Sequence, residues 1–344
     1  MKIELIMPKH NFDLPKGTIE VLEIESKALT NNILGDPTKR AVALYLPQNY
    51  VGTSKKYPLF VDLAGFTGSG FGHLSWKAFQ ETVPQRIDRL ISEGKMGDVI
   101  VAFPDCFTSL GGNQYINSLA MGNWAEFLTT EMINAIEQRY PVRQGRENRA
   151  LFGKSSGGYG AMIHGMIFAD YWGAIACHSG DMAFDLCYLP EMPNLLIRVA
   201  EKGIEKFIDD FKSHRKVGDF HTMMMLAMAA TYDPDPKRPY GIRLPVTHDE
   251  CVLIHDRWER WIAWDPVNLI RDHATQKNLR SLSGLYIDCG SRDQYNLVFG
   301  ARQLVSSLKS HGIEHQYEEF PDNHSSVDYR MDHSLPYLYR CLNG

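Results

Sequence analysis

Residues 148–161 read Asn-Arg-Ala-Leu-Phe-Gly-Lys-Ser-Ser-Gly-Gly-Tyr-Gly-Ala, and no other stretch of the 344-residue chain restricts its fold as strongly. Ala150, Leu151 and Phe152 have the character of a short buried strand, and Gly153 to Gly157 match Gly-x-Ser-x-Gly. Small residues suited to a closely packed helix follow. A strand, a sharp turn with a serine at its apex and a helix make a nucleophile elbow. The turn holds its serine in a strained backbone conformation, and the flanking glycines remove Cβ atoms that would collide there. The helix that follows directs free N–H groups and the positive end of its dipole at the place where an oxyanion would form. Ser155 is the expected nucleophile, because only Ser155 has glycine two positions before and two after. A purely structural glycine turn is the plainer alternative.

The rest of the chain supplies a frame for such a turn. Residues 18–25 and 41–46 alternate apolar and polar positions around a turn-rich link, which predicts antiparallel opening strands. Further apolar strands are expected at 57–63, 98–103, 150–152, 172–177, 283–289 and 315–320. Helices are expected between them, from Pro84 to Gly94, from Trp124 towards Pro141, and from Leu297 to His311. Strands alternating with helices over short links predict an α/β fold: a mostly parallel central sheet flanked by helices. From 185 to 277 the rhythm changes to helical stretches and Pro-rich turns, with Thr247 to Glu250 resembling a capping box. This segment reads as an inserted helical cap. The core then falls into 1–184 and 278–344, with the cap at 185–277.

Composition narrows the function. A net charge of -5 offers no basic face for nucleic acid. The apolar run at 223–230 is far too short to cross a bilayer, and Glu4 and Pro8 interrupt the start where a secretory segment would be apolar. Six cysteines without pairing or metal-ligand spacing predict reduced thiols and a cytoplasmic protein. His248, Asp249, His255 and Asp256 match no ligand motif and read as solvated surface, so no metal is expected. No G-x-G-x-x-G opens a helix in the dinucleotide-binding manner, and no cofactor is expected.

A serine hydroxyl needs a base, and the base needs a group to orient it. On a fold with this elbow, the acid and then the base follow in loops after the last strands. Asp293 lies just beyond the strand at 283–289, whereas Asp288 lies within it and is the weaker candidate. His324 follows the next strand in a turn-rich loop. An oxyanion hole takes two backbone donors. The N–H of Ser156 is one, and the N–H of Phe66, in the glycine-rich loop after the strand at 59–63, is the favoured second. Trp124 and Tyr159 are placed equally well in the core or in a pocket wall. Trp258, Trp261 and Trp264 read as the cap's own core, and Cys106 as an inert buried thiol.

Arg40 to Pro47, Gly65 to Ser69, Gly153 to Ala161, Asp288 to Gln294 and the His324 loop together resemble the esterase family of α/β-hydrolases. That family includes esterase D/S-formylglutathione hydrolase, enterochelin esterases, feruloyl esterases and the antigen 85 acyltransferases. The resemblance spans roughly residues 26–185 and 280–335, and the serine elbow is its most specific part. It implies an α/β-hydrolase fold with Ser155, Asp293 and His324 as triad and Phe66 and Ser156 as oxyanion donors. Ala64 departs from the pattern, standing where the family commonly has the His of a His-Gly pair. The cap is also longer than in compact S-formylglutathione hydrolases.

These readings lead to a serine carboxylic-ester hydrolase that forms an acyl-enzyme from a small-molecule ester. Acyl transfer to an alcohol or thiol would use the same residues, and a non-catalytic hydrolase-fold binding protein is the alternative from another class. The cap's methionines (Met223, Met224, Met225, Met228) and tryptophans are expected at the pocket mouth, where they would select the substrate. The alternative for that surface is a contact with a second copy in a homo-oligomer.

Overall fold

The computed structural model describes residues 16–48, 50, 54–213 and 219–344; Met1 to Pro8, read above for a secretory segment, lies outside them. Apart from a two-residue ribbon pairing Asn117–Ser118 with Gly122–Asn123, its strands are β1 (Thr18–Glu25), β2 (Lys39–Leu46), β3 (Leu59–Leu63), β4 (Ile100–Pro104), β5 (Arg149–Lys154), β6 (Ala174–His178), β7 (Gly284–Gly290) and β8 (Gln316–Phe320). They form one sheet in the order β1-β2-β4-β3-β5-β6-β7-β8. β1 and β2 pair antiparallel over their full length, from Thr18 opposite Leu46 to Glu25 opposite Lys39. β2 is antiparallel to β4, and every pair beyond β4 is parallel.

Position in the sheet accounts for the sequence patterns. β1 is an edge, so its glutamates face water; burial alternates only at Leu22 and Ile24, while the apolar Ile19 and Val21 earlier in the strand are exposed, unlike the alternation read over 18–25. β3, β4, β6 and β7 are central and covered on both faces, so they are buried throughout. Tyr57 makes only an isolated bridge, to Val142, before Pro58, which has no N–H to donate, so β3 begins at Leu59 and not at Tyr57.

Alternate side chains of the strands feed two apolar cores. Phe60, Val101, Phe103, Phe152, Ala174 and Tyr286 pack under α1 (Val83–Ser92) and the C-terminal helix. Leu59, Val61, Leu63, Leu151, Ile175, Leu285 and Ile287 belong to the larger core on the opposite face. α1 is opened by a capping box between Thr82 and Gln85 with Pro84 in its first turn. α2 spans residues 124–139 and contains a π-helical stretch at Phe127–Met132. α3 is Ser156–Ile167, the helix of the elbow.

Between β6 and β7 the regular elements of the described chain are all helices, joined by turns and loops, with one isolated bridge, Val246 to Leu253. Its longer elements are α4 (Met192–Ala200), α5 (Gly203–Ser213), α6 (Asp219–Tyr232), α7 (His255–Ile262) and α8 (His273–Arg280). Residues 247–250 are not a helix start. The Thr247 hydroxyl accepts the Val252 N–H, Cys251 takes a left-handed φ of 56°, and α7 begins only at His255. The threonine thus caps a tight turn, a competing use of the same side-chain oxygen. Buried residues of α6, including Met223, Met225 and Met228, join the same apolar core as the sheet. α9 (Leu297–Ser310) and α10 (Met331–Asn343) complete the layers.

Candidate active site

β5 delivers its last residue, Lys154, to the end of the sheet, and Ser155 then turns the chain with φ 59° and ψ -126°. A non-glycine residue tolerates this region only when its surroundings hold it there. Two contacts do so. The Ser155 N–H donates to the His178 carbonyl at 2.9 Å, and its carbonyl accepts from Tyr159 at 2.8 Å. The glycines let the turn press against β3: a Cβ on Gly157 would lie 1.8 Å from the Leu63 carbonyl oxygen, and one on Gly153 2.5 Å from the same atom. Ser155 lines a cavity of about 400 Å³. Its neighbour Ser156 points elsewhere; it is buried, and its hydroxyl accepts a hydrogen bond from Gln114 at 2.9 Å and reaches Asp181 at 3.4 Å.

His324 lines the same cavity from the loop after β8. Its Nδ1 lies 2.7 Å from Oδ2 of Asp293. With Nδ1–H donated to that carboxylate, Nε2 is left as the proton acceptor. Asp293 is held in turn, because Oδ1 accepts the Tyr295 N–H at 2.9 Å. Tyr295 also sets its ring edge-on against the imidazole, 4.8 Å between centroids, and the His324 N–H donates to Gln294. The segment 293–295 therefore orients the histidine from three directions.

Asp288 has a different partner. It lies inside β7, wholly buried, and accepts from His178 Nδ1 at 2.8 Å, Arg330 Nε at 2.9 Å and the Tyr286 hydroxyl at 3.1 Å. His178 Nε2 meets Ser334 at 2.8 Å. This is a second Ser-His-Asp string, but its members are buried and no substrate reaches them. It braces the elbow, since the His178 carbonyl is what holds the Ser155 N–H.

Phe66 lies at the cavity in the loop after β3, and Gly112 N–H donates to its carbonyl. The Phe66 N–H has no hydrogen-bond partner among the described residues, and the N–H of Ser156, first residue of α3, has none either. Both N–H groups are therefore free of partners among the described residues, one following Ser155 in the chain and the other in a residue lining the same cavity.

Trp124 and Tyr159 do not line the cavity. Trp124 is buried in the large core, with its indole N–H on the Met121 carbonyl and the Arg40 guanidinium 4.8 Å above its ring. Tyr159, one turn into α3, packs against Phe184 and Tyr232 and donates to the Trp264 carbonyl. Each satisfies its polar atom inside the core, so neither forms the wall. Trp258 and Trp261 are buried, as a core of the 185–277 segment requires, and lie away from the cavity. Of the described residues of that segment, Cys187, Tyr188, Phe220 and Met224 line it.

Several polar groups at the cavity were missed in the sequence. His73, on the short helix Gly70–Leu74, places Nδ1 2.5 Å from Asp62 of β3. Burial works against a charge on His73, but the Asp62 carboxylate and its hydrogen bond outweigh that and raise the histidine's pKa. Lys154 contributes its side chain, with its pKa lowered by burial. Asp181, after β6, accepts from the Tyr188 hydroxyl at 2.9 Å, and burial raises its pKa. Asp62 had a readable signal: a carboxylate inside the apolar run Leu-Phe-Val-Asp-Leu must find a buried partner. Cys106 is buried, with its thiol pushed up chiefly by desolvation. His248, Asp249, His255 and Asp256 are exposed, and among the described residues no group of three or more His, Cys, Asp or Glu could hold a metal.

Residues 35–334 match the Esterase family, described as "Putative esterase". Solved structures with the same fold include a ferulic acid esterase, 20% identical with a TM-score of 0.62, covering 95% of this chain and 99% of that one. An S-formylglutathione hydrolase from Agrobacterium tumefaciens is 15% identical with a TM-score of 0.58, over 98% and 99% of the two chains. The fluorophosphonate-binding serine hydrolase F of Staphylococcus aureus is 15% identical with a TM-score of 0.59, over 96% and 100%.

Proposed function

The chain belongs to the Esterase family and is an esterase of α/β-hydrolase fold, and we propose that it cleaves carboxylic esters through an acyl-enzyme formed on Ser155. The observation that carries this reading is that Ser155, at its strained turn, and His324, hydrogen-bonded to Asp293, border one cavity. Ser155 Oγ attacks the ester carbonyl while His324 Nε2 takes its proton. Asp293 keeps the imidazole in the required tautomer and stabilises the imidazolium. The N–H groups of Phe66 and Ser156 hold the oxyanion, to which Ala64, having no polar side chain, adds nothing. His324 then protonates the departing alcohol, and water repeats the sequence to free the acid. The 185–277 segment acts as a cap that shapes the acyl or alcohol site through Phe220 and Met224.

A fluorophosphonate probe and a nitrophenyl ester test the reading together. The probe is expected on Ser155, and the ester to show a burst of nitrophenol. Ser155→Ala should lose on the order of 10³-fold or more in kcat, and Ser156→Ala far less, because Ser156 contributes a backbone N–H. Labelling of Ser156, or equal losses in the two variants, would overturn it.

A further inference from the structure

We propose that the ester this enzyme prefers carries a single carboxylate, bound in the Ser155 cavity by Lys154; this deepens the serine-esterase reading and rests on it. The argument starts from which charges around the cavity already have partners. Asp293 is taken by His324, Asp62 by His73, and Asp328 by Lys77 at 2.8 Å. Asp181 is taken by the Tyr188 hydroxyl and Gln114. Lys154 is the exception. It is largely removed from water, lines the cavity beside Ser155, and has no carboxylate at ion-pair distance among the described residues. Asp328 and Asp293 act on it only at longer range, and Lys77 opposes them.

A partly desolvated ammonium facing a cavity is costly unless something brought into that cavity completes it. The position is specific, since Lys154 adjoins the nucleophile in the chain and an anion held by it lies close to the reacting carbonyl. His73 lines the cavity as well. Its bond to a buried aspartate favours the protonated ring; the pair is neutral as a whole, so His73 adds a polar group to the same lining without adding net charge to that of Lys154. Ser325 and Ser326 border the same cavity with hydroxyls suited to a carboxylate. One unpartnered ammonium matches one negative charge, which favours a carboxylate over a doubly charged phosphate.

The carboxylate can sit on the acyl side or on the alcohol side, and paired substrates separate these sources. Nitrophenyl hemisuccinate is compared with nitrophenyl butyrate, and acetoxybenzoate with phenyl acetate. One charged ester is expected to exceed its neutral partner by tenfold or more in kcat/KM, mainly through KM. Lys154→Met should reduce kcat/KM for that charged ester on the order of 30-fold further than for the neutral one, with Lys154→Arg retaining most of the preference. Neutral esters favoured in both pairs, or an equal fall for both members of a pair in Lys154→Met, would overturn the proposal. Should Lys154→Met fail to fold, inhibition of the wild-type enzyme decides: glutaramate, with one carboxylate, must inhibit better than the neutral glutaramide, and equal inhibition overturns it. Neutral esters turned over without any such preference would sink this inference alone. Absence of both turnover and probe labelling at Ser155 would sink the serine-esterase reading beneath it.

Discussion

Asp288 and Asp293 leave the same strand, yet each serves a different histidine. Asp288 faces inward from the strand and is surrounded by His178, Arg330 and Tyr286. Asp293 lies past the strand end, where the turn from Gly290 brings it to His324. The two asparagine variants should therefore fail in different ways. Asp293→Asn removes the acceptor that sets the tautomer, and kcat should fall on the order of 10³-fold while stability changes little. Asp288→Asn leaves the Arg330 guanidinium without its buried carboxylate, and should cost about 3 kcal/mol of stability while the folded fraction keeps most of its activity. Urea unfolding and active-site titration measure both quantities. The opposite ranking would make Asp288 the orienting acid.

At the scale of elements, the 185–277 segment is where sequence pattern and packing part company. The sequence places its tryptophans at a pocket mouth. Trp258 instead donates its indole N–H to Asp185 and stacks near Trp261, and Met223, Met225 and Met228 turn into the core. α6 reaches the cavity only through Phe220 and Met224, which are one helical turn apart and so share a face. Met224→Ala and Phe220→Ala should change the ranking of nitrophenyl esters by acyl length, by about fivefold or more between short and long chains, with probe labelling of Ser155 retained. Trp258→Phe should lower the melting temperature and leave that ranking alone. If Trp258→Phe shifted the ranking and the α6 variants did not, α6 would have no part in selection.

For the whole molecule, stability should depend on pH through a histidine remote from the cavity. His164 of α3 is buried between the Tyr115 carbonyl, 2.9 Å from Nε2, and the Trp172 indole N–H, 3.1 Å from Nδ1. Nε2 donates and Nδ1 accepts, so a second proton would set two donors against each other. Burial, offset in part by the Tyr115 bond, lowers the pKa from 6.5 to about 4. The folded state then stays unprotonated where the unfolded chain binds a proton. Stability is full above the ordinary value of 6.5 and falls as pH drops from there towards 4, by about 3 kcal/mol for this one group. Urea unfolding near neutral pH and near the lower limit should show the loss. His164→Gln keeps a donor and an acceptor but cannot titrate, and should flatten the fall. An equally steep fall in the variant would assign it to other groups.

What could be read from the sequence was encoded within a few adjacent residues. The elbow depends on glycines spaced around one serine, the strands on runs of apolar residues, and the ends of α1 and α9 on Pro84, Gly94 and Gly312. Chain order made Asp293 and His324 the candidates for acid and base, since each follows a strand of a sheet whose parallel pattern was legible, and the two meet in a hydrogen bond. Tertiary structure decided whatever depended on which distant segment a side chain meets. Asp62 and His73 come together because the short helix Gly70–Leu74 packs against β4 and β2 at the end of the sheet, and Lys154 lines the cavity as the residue before the turn at Ser155. Trp124 and Tyr159 enter the core because the Met121 and Trp264 carbonyls satisfy their polar atoms there. Thr247 caps a turn and not a helix because Val252 returns to meet it. Periodicity is a property of neighbouring residues, whereas burial and hydrogen-bond partnership belong to pairs that only the folded chain brings together.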